Sequence, residues 1–258
     1  MCIRDSHYVD GNQVDAGGVP QTVTWPNYNV PLRIGYQQDV EYYNGYADEI
    51  RISKGIARYP AGANFTVPTS AYTADEYDVL LLHCDGSNGG TTFTDSSFWA
   101  HTPTVSGAVH TDTAIKKFGT ASAQFDGTGD YLTVAHDAGF NFGSEEFCVE
   151  AYIYHTGTPS QYEGIVCHRN GGTGWELKIN TGLKVSWYDS DSGAETLSNA
   201  AISNDTWYHV AIVRVSTSNL KIYINGTDRT AEAEAGGAEA ARLDPLGATS
   251  STQPGADQ

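Results

Sequence analysis

Apolar and polar positions alternate along most of this chain with a period of two, in runs too short for helices. In Gly45-Tyr-Ala-Asp-Glu-Ile-Arg-Ile-Ser53 the alternation predicts a strand with Tyr46, Asp48, Ile50 and Ile52 on one side. Ala47, Glu49, Arg51 and Ser53 fall on the other. The same reading predicts strands at 7–14, 31–35, 79–83, 121–125, 131–134, 147–154, 164–167, 175–179 and 183–188. The strongest hairpin joins Thr206–Val215 to Leu220–Gly226 across a Ser/Thr/Asn turn. Gly, Asn and Asp punctuate the runs, as tight turns require. Residues 60–78, with Pro60, Gly62, Pro68, Thr69 and Ser70, read as a linker or terminal wrap.

Composition sharpens this to an all-β chain. It holds 28 Gly and 16 Tyr, and only 17% of its residues are charged. Aromatic and β-branched residues suit a pleated, half-buried surface. The formal net charge is −17, from 14 basic and 31 acidic residues. With no basic run to displace counterions, nucleic acid is not an expected partner, nor is an anionic membrane surface. No stretch is apolar enough to insert into a bilayer.

The chain divides unevenly. Met1–Ser6 fits nothing that follows; it resembles translated sequencing-adapter read-through and reads as a non-native extension. Residues 231–258 contain no aromatic, Ile or Val and read as a disordered or aberrant tail. Between them, Tyr8-Val-Asp-Gly-Asn12 resembles Tyr223-Ile-Asn-Gly-Thr227, at a separation of about one large sandwich domain. Residues 7–75 therefore read as the end of one repeat and 79–230 as the beginning and middle of the next. An export signal is expected outside these residues, since the first ten lack an apolar core. Cys2, Cys84, Cys148 and Cys167 form no CxxC pair; Cys148 and Cys167 are either buried thiols or a bridge between strands.

Several segments together resemble laminin-G-like members of the concanavalin A-like lectin/glucanase superfamily. Ala123-Gln-Phe-Asp-Gly-Thr-Gly-Asp-Tyr-Leu132 is similar to the family's "F-D-G-x-x-D-Y" entry. Phe147-Cys-Val-Glu-Ala-Tyr-Ile153 is similar to its "F-T-I-E-A-W" strand. Thr206–Ala211 with Ile222–Gly226 resembles the "W-Y-H-V-A … Y-V-N-G" hairpin. Tyr43–Ile52, with Ala57-Arg-Tyr59 and Phe65, resembles the closing strand "G-Y-I-D-E-V-R-I … A-R-Y … F". The resemblance implies an antiparallel two-sheet jelly-roll sandwich. Here the closing motif precedes the opening motif, so 7–70 and 79–228 are expected either to belong to two repeats or to complete one sandwich in circularly permuted order. The family setting is extracellular, cell-surface or virion, with a glycan or surface protein as partner. The resemblance also implies a structural Ca²⁺, with Asp48, Asp85 and Asp126 at the matching positions and Asp130 in reserve. The competing reading is that these Asp residues only make turns.

Catalysis is not expected. The superfamily's glycosidases carry E-x-D-x-x-E on one strand, which aims nucleophile and acid at one sugar; that spacing is missing. Glu145-Glu146 and Asp48-Glu49 are adjacent and would face opposite ways along a strand. Asp189-Ser-Asp191 has suitable spacing but sits in a polar turn. For ligand binding, Trp187, Tyr188 and Asp189 lie at a strand end near a Gly/Ser loop, where an aromatic platform for sugar could form. Trp175 and Trp207, in mid-strand, read as core. The expectation is a non-catalytic binding or adhesion module, with a structural module of a phage tail fibre or bacterial surface array as the alternative. A polysaccharide-acting enzyme stands third.

Overall fold

Strands of alternating burial lie in two antiparallel sheets packed face to face. A computed structural model describes residues 8–9, 12–13, 27–37, 41–59, 63–190, 193–216 and 219–231. In chain order the strands of the two sheets are β1 (Leu32–Ile34), β2 (Asn44–Lys54), β3 (Asp78–Leu82), β4 (Thr104–Ser106) and β5 (His110–Asp112). Then come β6 (Ser122–Asp126), β7 (Tyr131–Val134), β8 (Phe147–His155), β9 (Glu163–Asn170) and β10 (Thr173–Ile179). The last five are β11 (Lys184–Asp189), β12 (Ala194–Ala201), β13 (Trp207–Ser216), β14 (Asn219–Ile224) and β15 (Thr227–Asp228). One sheet runs β15-β14-β13-β8-β2-β6-β5, with β3 also paired to β2; we call it sheet A. The other, sheet B, runs β12-β11-β10-β9-β1-β7-β4. Among the described residues the sole helical element is a 3-10 turn at Ala138–Phe140.

This is the jelly-roll sandwich that the alternation and motifs predicted. Its interior is filled by Ile50, Ile52, Val149, Ile153 and Ile212 from sheet A, against Leu32, Ile34, Leu177, Trp175 and Trp187 from sheet B. Trp175 stacks on Trp187 and on Phe142, each at 5.1 Å, and its indole nitrogen donates to the Phe140 carbonyl at 3.1 Å. A buried ring of that size stabilises the fold by roughly 1.5–3 kcal/mol.

The stretches on either side of residues 60–78 share both sheets. β2 is a central strand: it pairs with β8 on one edge and with β6 and β3 on the other. β1 lies between β9 and β7. The connection between β2 and β3 is no slack linker. It crosses the outer face of sheet A, where Tyr59 and Phe65 stack at 3.6 Å over His209 and Tyr223, and Tyr72 packs with Leu81 and Tyr152.

Two sequence expectations change. The facing assigned to residues 46–53 fails at Glu49, which takes a left-handed backbone conformation (φ 51°) at a register shift against β8. The bulge inverts the pattern: Ala47, Ile50 and Ile52 reach the core, while Asp48 and Glu49 both turn to the outer face. Trp207 is not core either. It sits half-buried on the outer face of sheet A beside Tyr154, at 5.6 Å. Cys148 and Cys167 are buried free thiols, one in each sheet. Met1–Ser6 and 232–258 lie outside the described residues.

Candidate functional site

The loop between β3 and β4 presents the most exposed large apolar side chains of the described residues. Phe98 is 76% exposed and Trp99 53%. Nothing in the alternation pattern singled out Ser96-Ser-Phe-Trp-Ala-His101, because a loop aromatic can equally dive into a core. Here it cannot, since one buried carboxylate pins the loop's path. Asp95 accepts hydrogen bonds from the backbone amides of Leu81, Ser97 and His101, each at 2.9 Å. It also meets His101 Nδ1 at 2.8 Å. Ala100, in a left-handed conformation (φ 49°), tightens the turn.

His101 is the footing of the platform. Its Nε2 faces Asp137 at 3.6 Å, and one ring face lies 5.3 Å from Phe140 in the core. Trp99 stacks nearly parallel to it at 6.3 Å. The indole is thus oriented while more than half exposed. A site ordered before binding loses less conformational entropy when a ligand arrives.

The residues proposed from sequence as a platform do not come together. Trp187 and Asp189 share one face of β11 and Tyr188 takes the other, as the two-residue period demands. Trp187 is 2% exposed and stacks on Trp175 and Phe147 inside the sandwich. Asp189 is buried on the same side. Tyr188 alone reaches the outer face of sheet B, half-buried, with the cations of Arg169 and Lys178 over its ring at 4.7 and 5.1 Å.

The carboxylates matched to a calcium site serve loops instead. Asp48 Oδ2 accepts from the amides of Lys117 and Phe118 at 2.8 and 3.0 Å, while its Oδ1 is buried without a partner. Burial pushes Asp48 up to about 7 against the pull of those amides. Asp85 accepts from the Thr120 hydroxyl at 2.9 Å and from the Thr120 amide. Asp126 closes its own turn onto the Thr128 amide at 2.7 Å, and Asp130 binds the amides of Ala108 and Asp126. Among the described residues no three acidic, His or Cys side chains converge as a cation requires. The triad does not fit Ca²⁺.

Beneath the β2–β3 connection lies a buried ionic network. Glu150 receives Arg51 Nε at 2.8 Å, the hydroxyls of Tyr59 and Tyr72 at 2.7 and 3.1 Å, and His209 Nε2 at 2.9 Å. Burial by itself would raise this carboxyl; the His209 hydrogen bond and the Arg51 charge overcome it and hold Glu150 at about 2. Glu150, His209 and Glu49 are each at most 1% exposed, so these groups do not face a substrate. Asp191 lies outside the described residues.

A family model described as the concanavalin A-like lectin/glucanases superfamily matches residues 126–257, just over half of the chain. The chain belongs to this superfamily. In this laminin-G-like sandwich the matched stretch begins at Asp126, so β1, β2, β3 and the Phe98–Trp99 loop all lie before it. Neither a curated protein nor a solved structure matches. Among the described residues no helix is long and apolar enough to cross a membrane.

Proposed function

We propose that this laminin-G-like chain is a non-catalytic binding and adhesion module of an extracellular, cell-surface or virion protein, and that it holds carbohydrate across the Phe98–Trp99 edge. The exposure of two large aromatics on a loop pinned by Asp95 carries this reading. A sugar presents one face of C–H groups, which packs on an indole or phenyl ring, and hydroxyls that hydrogen-bond at the rim. Asp137 and His101 supply polar atoms beside Trp99. Trp is also the residue type most often found to dominate an interface.

The test is a glycan array followed by titration calorimetry on any positive, with and without Ca²⁺. Trp99→Ala is expected to weaken binding about tenfold, which is the loss of about 1.4 kcal/mol, and to leave the melting temperature nearly unchanged because the ring is half solvated. Silence on every glycan would overturn carbohydrate recognition and favour a structural module of a tail fibre or surface array. Turnover of a polysaccharide would overturn the non-catalytic reading.

A further inference from the structure

The likeness between Tyr8–Asn12 and Tyr223–Thr227 extends to backbone pairing. Tyr8 pairs with Gln13 and Val9 with Asn12; Tyr223 pairs with Asp228 and Ile224 with Thr227. The two hairpins have the same register. Asn225 and Gly226, both left-handed (φ 50° and 73°), turn the second one, and Asp10-Gly11 holds that place in the first. In chain order the closing strands β1 and β2 follow the first hairpin. In space they close the sandwich that contains the second. Within these 258 residues nothing after Thr227 repeats Gly45-Tyr-Ala-Asp-Glu-Ile-Arg-Ile52. The slot is therefore filled by a strand that belongs, by order, to a preceding hairpin.

The slot reads its strand closely. Ala47, Ile50 and Ile52 must point inward, and a cation must meet Glu150, as Arg51 does at 2.6 Å. The connection from β2 to β3 is far longer than closure needs. Ser53 and Asp78 are register partners, one strand spacing of about 5 Å apart, a gap that a hairpin crosses with roughly 2–5 residues. The chain instead uses residues 55–77.

We infer that residues 27–59 are an exchangeable closing element: β1 and β2 of one copy of this chain insert into the sandwich of a second copy, with Pro60-Ala61-Gly62 as the hinge. Pairing and packing within the slot are identical in the closed and exchanged forms, so only the hinge and the protein concentration set the balance. The Glu150–Arg51 requirement restricts the donor to a strand of this same sequence type.

Cross-linking in the full-length chain tests this. Cys148 and Ser53 are register partners on β8 and β2. Ser53→Cys, with Cys2→Ser, Cys84→Ala and Cys167→Ala, lets one disulfide report which copy supplied the strand. After refolding over a range of concentrations and oxidation, a non-reducing gel is expected to show disulfide-linked dimers whose share rises with concentration. A monomer cross-linked only to itself at every concentration would overturn the inference. Because the Ser53 hydroxyl binds Asp78, Tyr46→Cys with Tyr154→Cys in a Cys148→Ala background provides a second pair, on half-buried register partners. The same two gel patterns decide it.

Discussion

Glu150→Ala is expected to cost about 3–5 kcal/mol of stability, because it leaves Arg51 buried without its counter-ion and removes the acceptor shared by Tyr59, Tyr72 and His209. At this chain length that is a fall in melting temperature of roughly 6–20 °C. Thermal unfolding followed by circular dichroism measures it. Arg51 is itself 7% exposed, and its guanidinium lies 3.9 Å over the Tyr72 ring, so water cannot readily replace the lost carboxylate. Tyr59→Phe, which deletes one of the hydrogen bonds and leaves the ion pair, should cost only about 1–2 kcal/mol. If the two variants melt alike, the network does not hold residues 55–77 onto sheet A. Limited proteolysis adds a second reading: cleavage within 63–77 should accelerate in Glu150→Ala well before the sandwich melts.

The second large effect is a pH dependence. His168 is fully buried among Trp175, Phe140 and Tyr28. Burial, with His136 stacked at 5.9 Å adding like-charge repulsion, pushes it down to about 4. An unfolded histidine titrates near 6.5. The unfolded chain thus binds the proton more readily, and His168 contributes stability that is fully present above about pH 6.5 and is lost as pH falls toward 4. The whole effect is about 3 kcal/mol. Asp48 works in the opposite sense: its folded value near 7 lies above that of a free carboxyl, so its contribution is present in acid and is lost as pH rises through about 7. His83, raised chiefly by its hydrogen bond with Glu49, likewise favours the fold in acid. The contribution of His168 therefore appears as a difference. Wild type should lose about 3 kcal/mol more than His168→Leu between pH 7 and pH 4 in urea unfolding. Parallel profiles would show that His168 accepts no proton on unfolding.

Strand positions were legible in the sequence because alternation is a local property. Phe147–Tyr154 and Thr206–Val215 are readable from their own residues, and so is the Asn225-Gly226 turn. The strand Ala194–Ala201 was not, since Ala194-Glu-Thr-Leu-Ser-Asn-Ala-Ala201 carries little apolar contrast and is held by its pairing with β11. The candidate site was hidden for a related reason. Trp187 and Trp99 are both aromatics near a turn, and no local pattern says that one stacks on Trp175 while the other is turned outward by the bonds of Asp95.

The sequence by itself determined the fold class, the order of the strands and the acidic, helix-poor character of the chain. It also carried the superfamily motifs, because each of these depends on residues a few positions apart. Only the tertiary structure decided how the parts close. It set β2 between β8 and β3, gathered Arg51, Glu150 and His209 into one buried network, and turned Asp48 and Glu49 to the same side through a single left-handed residue. Those outcomes depend on contacts between residues tens to more than a hundred positions apart. A period-two pattern holds no information about such pairs, and one bulge is enough to reverse every facing that follows it.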